Sequence, residues 1–159
     1  MGAARVILRD VAAGDLDVFF AHQREPAGVH MAAFTTPNPD NRREFDALWV
    51  KLQKDPAIRM KTILVQGQVA GHILSHRWHG PVEISYWLGQ AFWGQGIATA
   101  ALKLFLEVEK TRPLYARAAH DNHGSLRVLE KCGFVESGRD EGYAAGRKAI
   151  TAEIILRLD

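Results

Sequence analysis

The stretch SYWLGQAFWGQGIATAALKLFLE, Ser85 to Glu107, opens like a strand, turns at glycines and closes as an apolar helix. Gly94 and Gly96 stand where that helix begins. A helix N-terminus carries unpaired backbone N–H groups and a partial positive charge, so it attracts anions. Glycine there lets the backbone come close to a ligand. The segment is therefore either a plain strand–turn–helix connection or a cradle for phosphate, and the rest of the chain has to decide between them.

Composition narrows the choice. The chain of 159 residues is 47% hydrophobic and 24% charged, as expected of one soluble globular domain over 1–159. Lys plus Arg number 20 and Asp plus Glu 18, a net charge of +2. That balance draws neither nucleic acid nor a membrane by field alone. The one cysteine, Cys132, leaves no internal disulfide and no zinc site of several cysteines, so no metal is expected. The opening MGAARVILRDVAAGD has only a three-residue apolar run before Arg9 and Asp10, too short for a signal-peptide core. Val6 stands where a myristoylation signal needs Ser or Thr. No apolar run is long enough to span a bilayer. The expected location is the cytoplasm.

The chain reads in the order β α α β β β α β α β β. Arg5 to Arg9 is a short strand. Asp15 is placed as the N-cap of a helix carrying Leu16, Phe19 and Phe20. Glu25 to Asn41, with Pro26, Pro37 and Pro39, reads as a loop whose apolar Met31 to Phe34 can wall a cleft. Phe45, Leu48, Trp49 and Leu52 mark an amphipathic helix that stops near Asp55-Pro56. Met60–Gln66 and Val69–Ser75 form a hairpin through Gly67-Gln68. Val82 to Leu88 is the next strand, and Gly96 to Lys110 a buried helix. Leu114 to Ala119 is a strand, and Asn122 caps a helix that Gly133 ends. Phe134 to Arg139, a turn over Asp140 to Gly146, and an alternating strand from Ile150 to Leu158 complete the chain. A hairpin followed by β-α-β-α-β implies a mixed sheet with a parallel pair around the glycine turn.

Among phosphate loops, a Walker A motif needs Lys and Ser or Thr after its last glycine, where this chain has Ile97-Ala98. A dinucleotide fingerprint needs a third glycine where Thr99 stands, and it opens a fold rather than following a hairpin; that reading predicts NAD binding. Trp93-Gly94-Gln95-Gly96-Ile97-Ala98 instead resembles the acetyl-coenzyme A loop of the GNAT N-acetyltransferase superfamily, Arg/Gln-x-x-Gly-x-Gly/Ala, with Trp93 replacing the usual Arg or Gln. The form YWLG…WGQGIAT is similar to the branch containing ribosomal-protein-alanine acetyltransferases. DNHGSLRVLEKCGF, Asp121 to Phe134, resembles the N-x-x-S…LEK-x-GF segment of that branch.

The resemblance implies an α+β (mixed α/β) three-layer GNAT-like fold. Its mostly antiparallel mixed sheet would hold a splayed parallel pair around the acetyl-CoA loop. It implies an N-acetyltransferase moving an acetyl group from acetyl-CoA to a primary amine, by direct attack in a ternary complex. Backbone N–H groups over Trp93, Gly94, Gln95, Gly96, Ile97, Ala98 and Thr99 would hold the pyrophosphate. The N–H of Trp87 would polarise the thioester carbonyl, and Leu88 would pair with the pantetheine arm. Glu83 resembles the general base of some members; a solvated acid is the other reading, and His72, His120 and water are its rivals. The tyrosine that many members use as an acid is Leu129 here, so Ser125 resembles the group near the sulfur, with solvent as the alternative. Asn122 bonds the cofactor arm or only caps its helix. Tyr143 is an unplaced hydroxyl, and Cys132 reads as a small buried hydrophobe.

The acceptor is a protein N-terminus or a small-molecule amine, in a site shaped by the early helices, Met31, Phe34 and the Trp78-His79 turn. Neither nucleic acid nor membrane is expected as a partner, and exposed edge strands allow pairing into a homodimer. The alternative is a module of the same fold that binds an acyl-CoA without chemistry.

Overall fold

In the computed structural model, which describes residues 5–159, the hairpin forms from β2 (Arg59–Val65) and β3 (Gln68–His76). Val65 pairs with Gln68, so the two turn residues are Gln66 and Gly67, one position before the expected pair; both have positive φ. β1 (Val6–Arg9) flanks β2, and β4 (Glu83–Leu88) flanks β3, all antiparallel. β5 (Leu114–Ala119) runs parallel to β4. The closing hairpin, β6 (Val135–Ala144) and β7 (Ala149–Leu158), joins through β7 to give the order β1-β2-β3-β4-β5-β7-β6. This is the mixed sheet with one parallel pair that the sequence led us to expect.

Helices cover both faces. α1 (Asp15–Gln23) and α3 (Arg42–Lys54) pack Phe19, Phe45, Trp49 and Leu52 against Leu74 of β3. On the opposite face α4 (Ile97–Phe105) and α5 (His123–Lys131) bury Ile97, Leu102, Phe105 and Leu129 against Ile63, Ile73, Ile84 and Leu156. Ile73 and Leu74 thus serve opposite layers, as the period of two in a strand requires. No helix among the described residues is long and apolar enough to cross a membrane.

Four boundaries depart from the sequence reading, each for a local reason. The supposed loop contains α2 (Pro26–Ala32), because Pro26 sits at the first helical turn, where its missing N–H and fixed φ start a helix rather than break one. Asp15 is not the cap of α1: Gly14 holds that position, and Asp15 turns its carboxylate back onto the strand. α4 ends at Phe105 rather than Lys110, since Glu109 folds inward to accept a hydrogen bond from Ser75. β6 continues to Ala144 instead of turning at Asp140, because an edge strand tolerates Gly142 while pairing it with Thr151.

Asp15 is the main polar tie across the α1 layer. It is 4% exposed and accepts from Arg9 at 2.6 and 2.8 Å, from the Ala12 N–H at 2.8 Å and from Thr62 at 2.7 Å. The hydrogen-bonded Arg9 outweighs burial and holds its pKa down to about 2. Because that value lies below the unfolded one, Asp15 contributes stability above about pH 4 and loses it as pH falls toward 2. Asp15→Ala strands the Thr62 hydroxyl and the Ala12 N–H and is expected to cost about 2–3 kcal/mol in urea unfolding at pH 7. The gap between variant and wild type should shrink as the pH drops below 4.

Candidate functional site

The cofactor end grows from β4. After Leu88 the chain makes a short 3-10 turn over Gln90–Phe92, runs extended through Trp93, and enters α4 at Ile97. Gly94 and Gly96 have φ of 72° and 76°, a left-handed conformation costly for any residue with a side chain. A Cβ on either would meet nothing within 4 Å, so the loop is open above them. The first hydrogen bond of the helix runs from the Ala100 N–H to the Gly96 carbonyl. The N–H groups of Ile97, Ala98 and Thr99 therefore point out of the helix end without a partner in its own turns. The side chains of Trp93 and Gln95 brace the loop from behind: the indole N–H donates to the Leu88 carbonyl at 3.1 Å, and the Gln95 amide to the Ala91 carbonyl at 3.0 Å.

β4 and β5 part immediately. Only Glu83↔Tyr115 and Ile84↔Ala116 pair, while β4 stays paired with β3 along its whole length. The Tyr115 N–H donates to the Val82 carbonyl, and the Gly89 N–H to Ala70 on β3. Strand alternation then turns the main-chain groups of Tyr86 and Leu88 toward the gap and those of Ser85 and Trp87 toward β3. A Cβ on Gly71 would overlap the Trp87 carbonyl, which is how near that group lies to β3. The register moves the free N–H from Trp87, where the sequence reading placed it, to its neighbours Tyr86 and Leu88.

The gap opens into one cleft of about 780 Å³ that reaches from Gly94, Gly96 and Thr99 to Glu83, with Met31, Phe34, Trp78 and His79 around its far end. Glu83 is 4% exposed. One carboxylate oxygen accepts from Arg117 Nε at 3.1 Å, and Arg117 also reaches Glu153 at 2.9 Å and Asp140 at 3.4 Å. The other oxygen lies 4.0 Å from His76 Nε2. His76 Nε2 is 3.1 Å from Ser85 Oγ, and its Nδ1 accepts the Trp78 N–H at 3.3 Å. Burial lowers the His76 pKa to about 4, so the ring is neutral at pH 7. With Nδ1 accepting, Nε2 carries the proton and donates to Ser85. His76 therefore has no lone pair left for base work and serves to orient Ser85.

Other sequence candidates fall elsewhere. The His72 ring packs between Phe19 and Trp49, at 4.9 and 5.0 Å between ring centres, and burial drives its pKa to about 3. Neither it nor the exposed His120 lines the cleft. Asn122 has both ends of its amide engaged: Oδ1 accepts the Ser125 N–H at 3.2 Å, and Nδ2 donates to the Met31 carbonyl at 3.2 Å. It caps α5 and ties that helix to α2. Ser125 faces the cleft and shares a 2.7 Å hydrogen bond with the Tyr86 hydroxyl. Leu129 is 1% exposed, while Cys132 and the exposed Tyr143 lie outside the lining. Arg117, Glu153, His76 and the Tyr86 hydroxyl were not picked out from the sequence. The visible signal was a charge inside the apolar strand LYARAA and alternating polar residues beside Glu83.

This architecture is that of the acetyltransferase (GNAT) domain family, whose profile matches residues 5–135, and the chain belongs to that family. YdaF of Bacillus subtilis, which carries the name of a ribosomal N-acetyltransferase, is 36% identical over 94 residues. That stretch spans only about half of each protein: 53% of this chain and 51% of YdaF. Among solved structures, spermidine N-acetyltransferase from Vibrio cholerae, in complex with CoA and spermine, superposes with a TM-score of 0.78 at 21% identity, over 96% of this chain and 95% of its own. RimJ of Mycobacterium smegmatis, in complex with CoA-disulfide, gives 0.78 at 21% identity, over 99% and 85%. At those identities the likeness is one of fold.

Gly96→Asp places a carboxylate at the open helix end and forces a side chain into the left-handed region. Binding of CoA, followed by calorimetry, should weaken at least about 100-fold, more than about 2.7 kcal/mol. A loop that only connects strand to helix would leave affinity unchanged.

Proposed function

We propose that the protein is an N-acetyltransferase that moves an acetyl group from acetyl-CoA to a primary amine by direct attack in a ternary complex. The observation that carries this reading is the continuous cleft. It joins an anion-ready helix terminus to a buried carboxylate through the β4–β5 gap.

Each chemical need has a candidate group. The N–H groups of Ile97, Ala98 and Thr99 hold the pyrophosphate against the α4 terminus. The pantetheine arm lies in the gap beside Leu88, whose carbonyl is already taken by Trp93 and whose N–H is available. The Tyr86 N–H, also facing the gap, takes the developing oxyanion. Glu83 takes the proton of the amine through its oxygen that Arg117 does not hold, directly or through water. Arg117 holds the carboxylate in place. Arg127 and Lys131, on the same face of α5, add positive charge along the cleft wall for the phosphates. Cys132, the one cysteine, lies outside the cleft lining and burial pushes its thiol pKa up, which speaks against a covalent acyl-cysteine intermediate.

The acceptor is an amine that fits against Met31, Phe34, Trp78 and His79. The names of the relatives point to two classes, polyamines and ribosomal amines. A module that binds acyl-CoA without chemistry is the second reading, favoured by Leu129 where an acid is common.

The test is CoA release from acetyl-CoA with spermidine, an amino-acid amine and a peptide with a free N-terminal alanine. Glu83→Gln should lower kcat about 100-fold with acetyl-CoA affinity intact. In the same preparation acetyl-CoA at 100 times its Kd should stabilise the wild type by about 2.7 kcal/mol, and NAD should not. Binding without turnover on any amine would favour the module, and no binding would refute both readings.

A further inference from the structure

Departure of the thiolate is the one chemical need that the expected helix position leaves unmet, since Leu129 offers no proton. A hydroxyl pair stands close by. Tyr86, from β4, and Ser125, from the first turn of α5, bring their oxygens to 2.7 Å on the cleft wall. The Tyr86 ring packs against the α4–α5 core, while its own N–H faces the β4–β5 gap. Of the three tyrosines in the chain, Tyr86 alone lines the cleft. We propose that the Tyr86 phenol gives its proton to the departing CoA sulfur, with Ser125 as the residue that positions it. The inference rests on the acetyltransferase reading above.

The two hydroxyls are not equivalent as acids. A phenol ionises near pH 10 in water, whereas an aliphatic hydroxyl holds its proton throughout the accessible range. Burial raises the Tyr86 pKa to about 12, which keeps the proton in place until it is needed, and the Ser125 hydrogen bond works in the opposite direction. For the step to run, the Ser125 hydroxyl has to donate to Tyr86 Oη, a direction the 2.7 Å contact permits, and so stabilise the phenolate as it forms. Its own place is fixed because its N–H is held by Asn122 at the start of α5. A phenol that the helix position lacks is supplied instead from the neighbouring strand.

The step balances as follows. The amine nitrogen bonds to the carbonyl carbon, and the C–S bond breaks with its electron pair going to sulfur. Sulfur takes the Tyr86 proton, leaving a phenolate that accepts the Ser125 O–H. Solvent entering the open cleft returns a proton to the phenolate. The proton lost by the amine leaves by way of Glu83, and nothing is oxidised or reduced.

Tyr86→Phe keeps the ring and its packing, so it isolates the hydroxyl. With whichever amine of the panel turns over, kcat should fall about 100-fold while the melting temperature and acetyl-CoA affinity stay at wild-type values. Ser125→Ala should lower kcat less, with the same split. A second readout needs no acceptor: with tyrosines labelled at Cζ, CoA should shift the Tyr86 resonance, and an analogue lacking the sulfur should not. Wild-type kcat in Tyr86→Phe, or equal shifts with both ligands, would overturn the proposal while leaving the acetyltransferase reading intact. A wild-type protein that binds no CoA would instead refute that reading, and the proposal with it.

Discussion

The parting of β4 from β5 is the constraint on which the rest of the molecule depends. After two paired residues, β4 gives up its parallel partner while keeping the antiparallel one. A main-chain N–H facing no acceptor is costly in a closed core and tolerable at an open cleft. The structure keeps that opening by rooting β4 in β3 on one side and filling the far side of β5 with β7. The glycine turn, the α4 terminus and the Tyr86–Ser125 pair are all arranged around it.

Charge is handled in the same economical way at both ends. At the α4 terminus the helix geometry itself presents N–H donors, and Arg127 and Lys131 of α5 line the same cleft. At the other end the part-buried Arg117 guanidinium holds Glu83 and Glu153 together and reaches Asp140 as well. An ionised carboxylate with 4% exposure would otherwise carry a desolvation penalty of several kcal/mol. Pairing one oxygen with Arg117 offsets that penalty and leaves the other 4.0 Å from His76 Nε2.

The sequence revealed what local rules control. Gly94 and Gly96 were legible because a helix entry with positive φ calls for glycine, and the hairpin because two apolar runs flank a tight turn. α2 was hidden because Pro26 reads as a breaker until its position at the helix start is known. The true length of β6 was hidden because Gly142 and the charged Asp140 and Glu141 look like a turn until β7 pairs with them. Asp15 looked like a cap because that is its commonest use before a helix. Within the site, Glu83 and Ser125 could be chosen from strand parity and motif. Tyr86 as a hydroxyl, His76 on Ser85 and Arg117 between two acids depend on partners 9 to 39 residues away, which no local pattern records. The identity of the free N–H shifted from Trp87 because strand parity is set by register against β3, known only from the assembled sheet.

The most direct measurement is amide hydrogen exchange, residue by residue along β4, with and without CoA. The N–H groups of Tyr86 and Leu88 should exchange fast in the free protein and slow markedly when CoA binds, while that of Trp87, held toward β3, stays slow in both states. Strong protection of Tyr86 and Leu88 in the free protein, or no change under saturating CoA, would mean that the gap between β4 and β5 is closed or empty of function and would contradict the account.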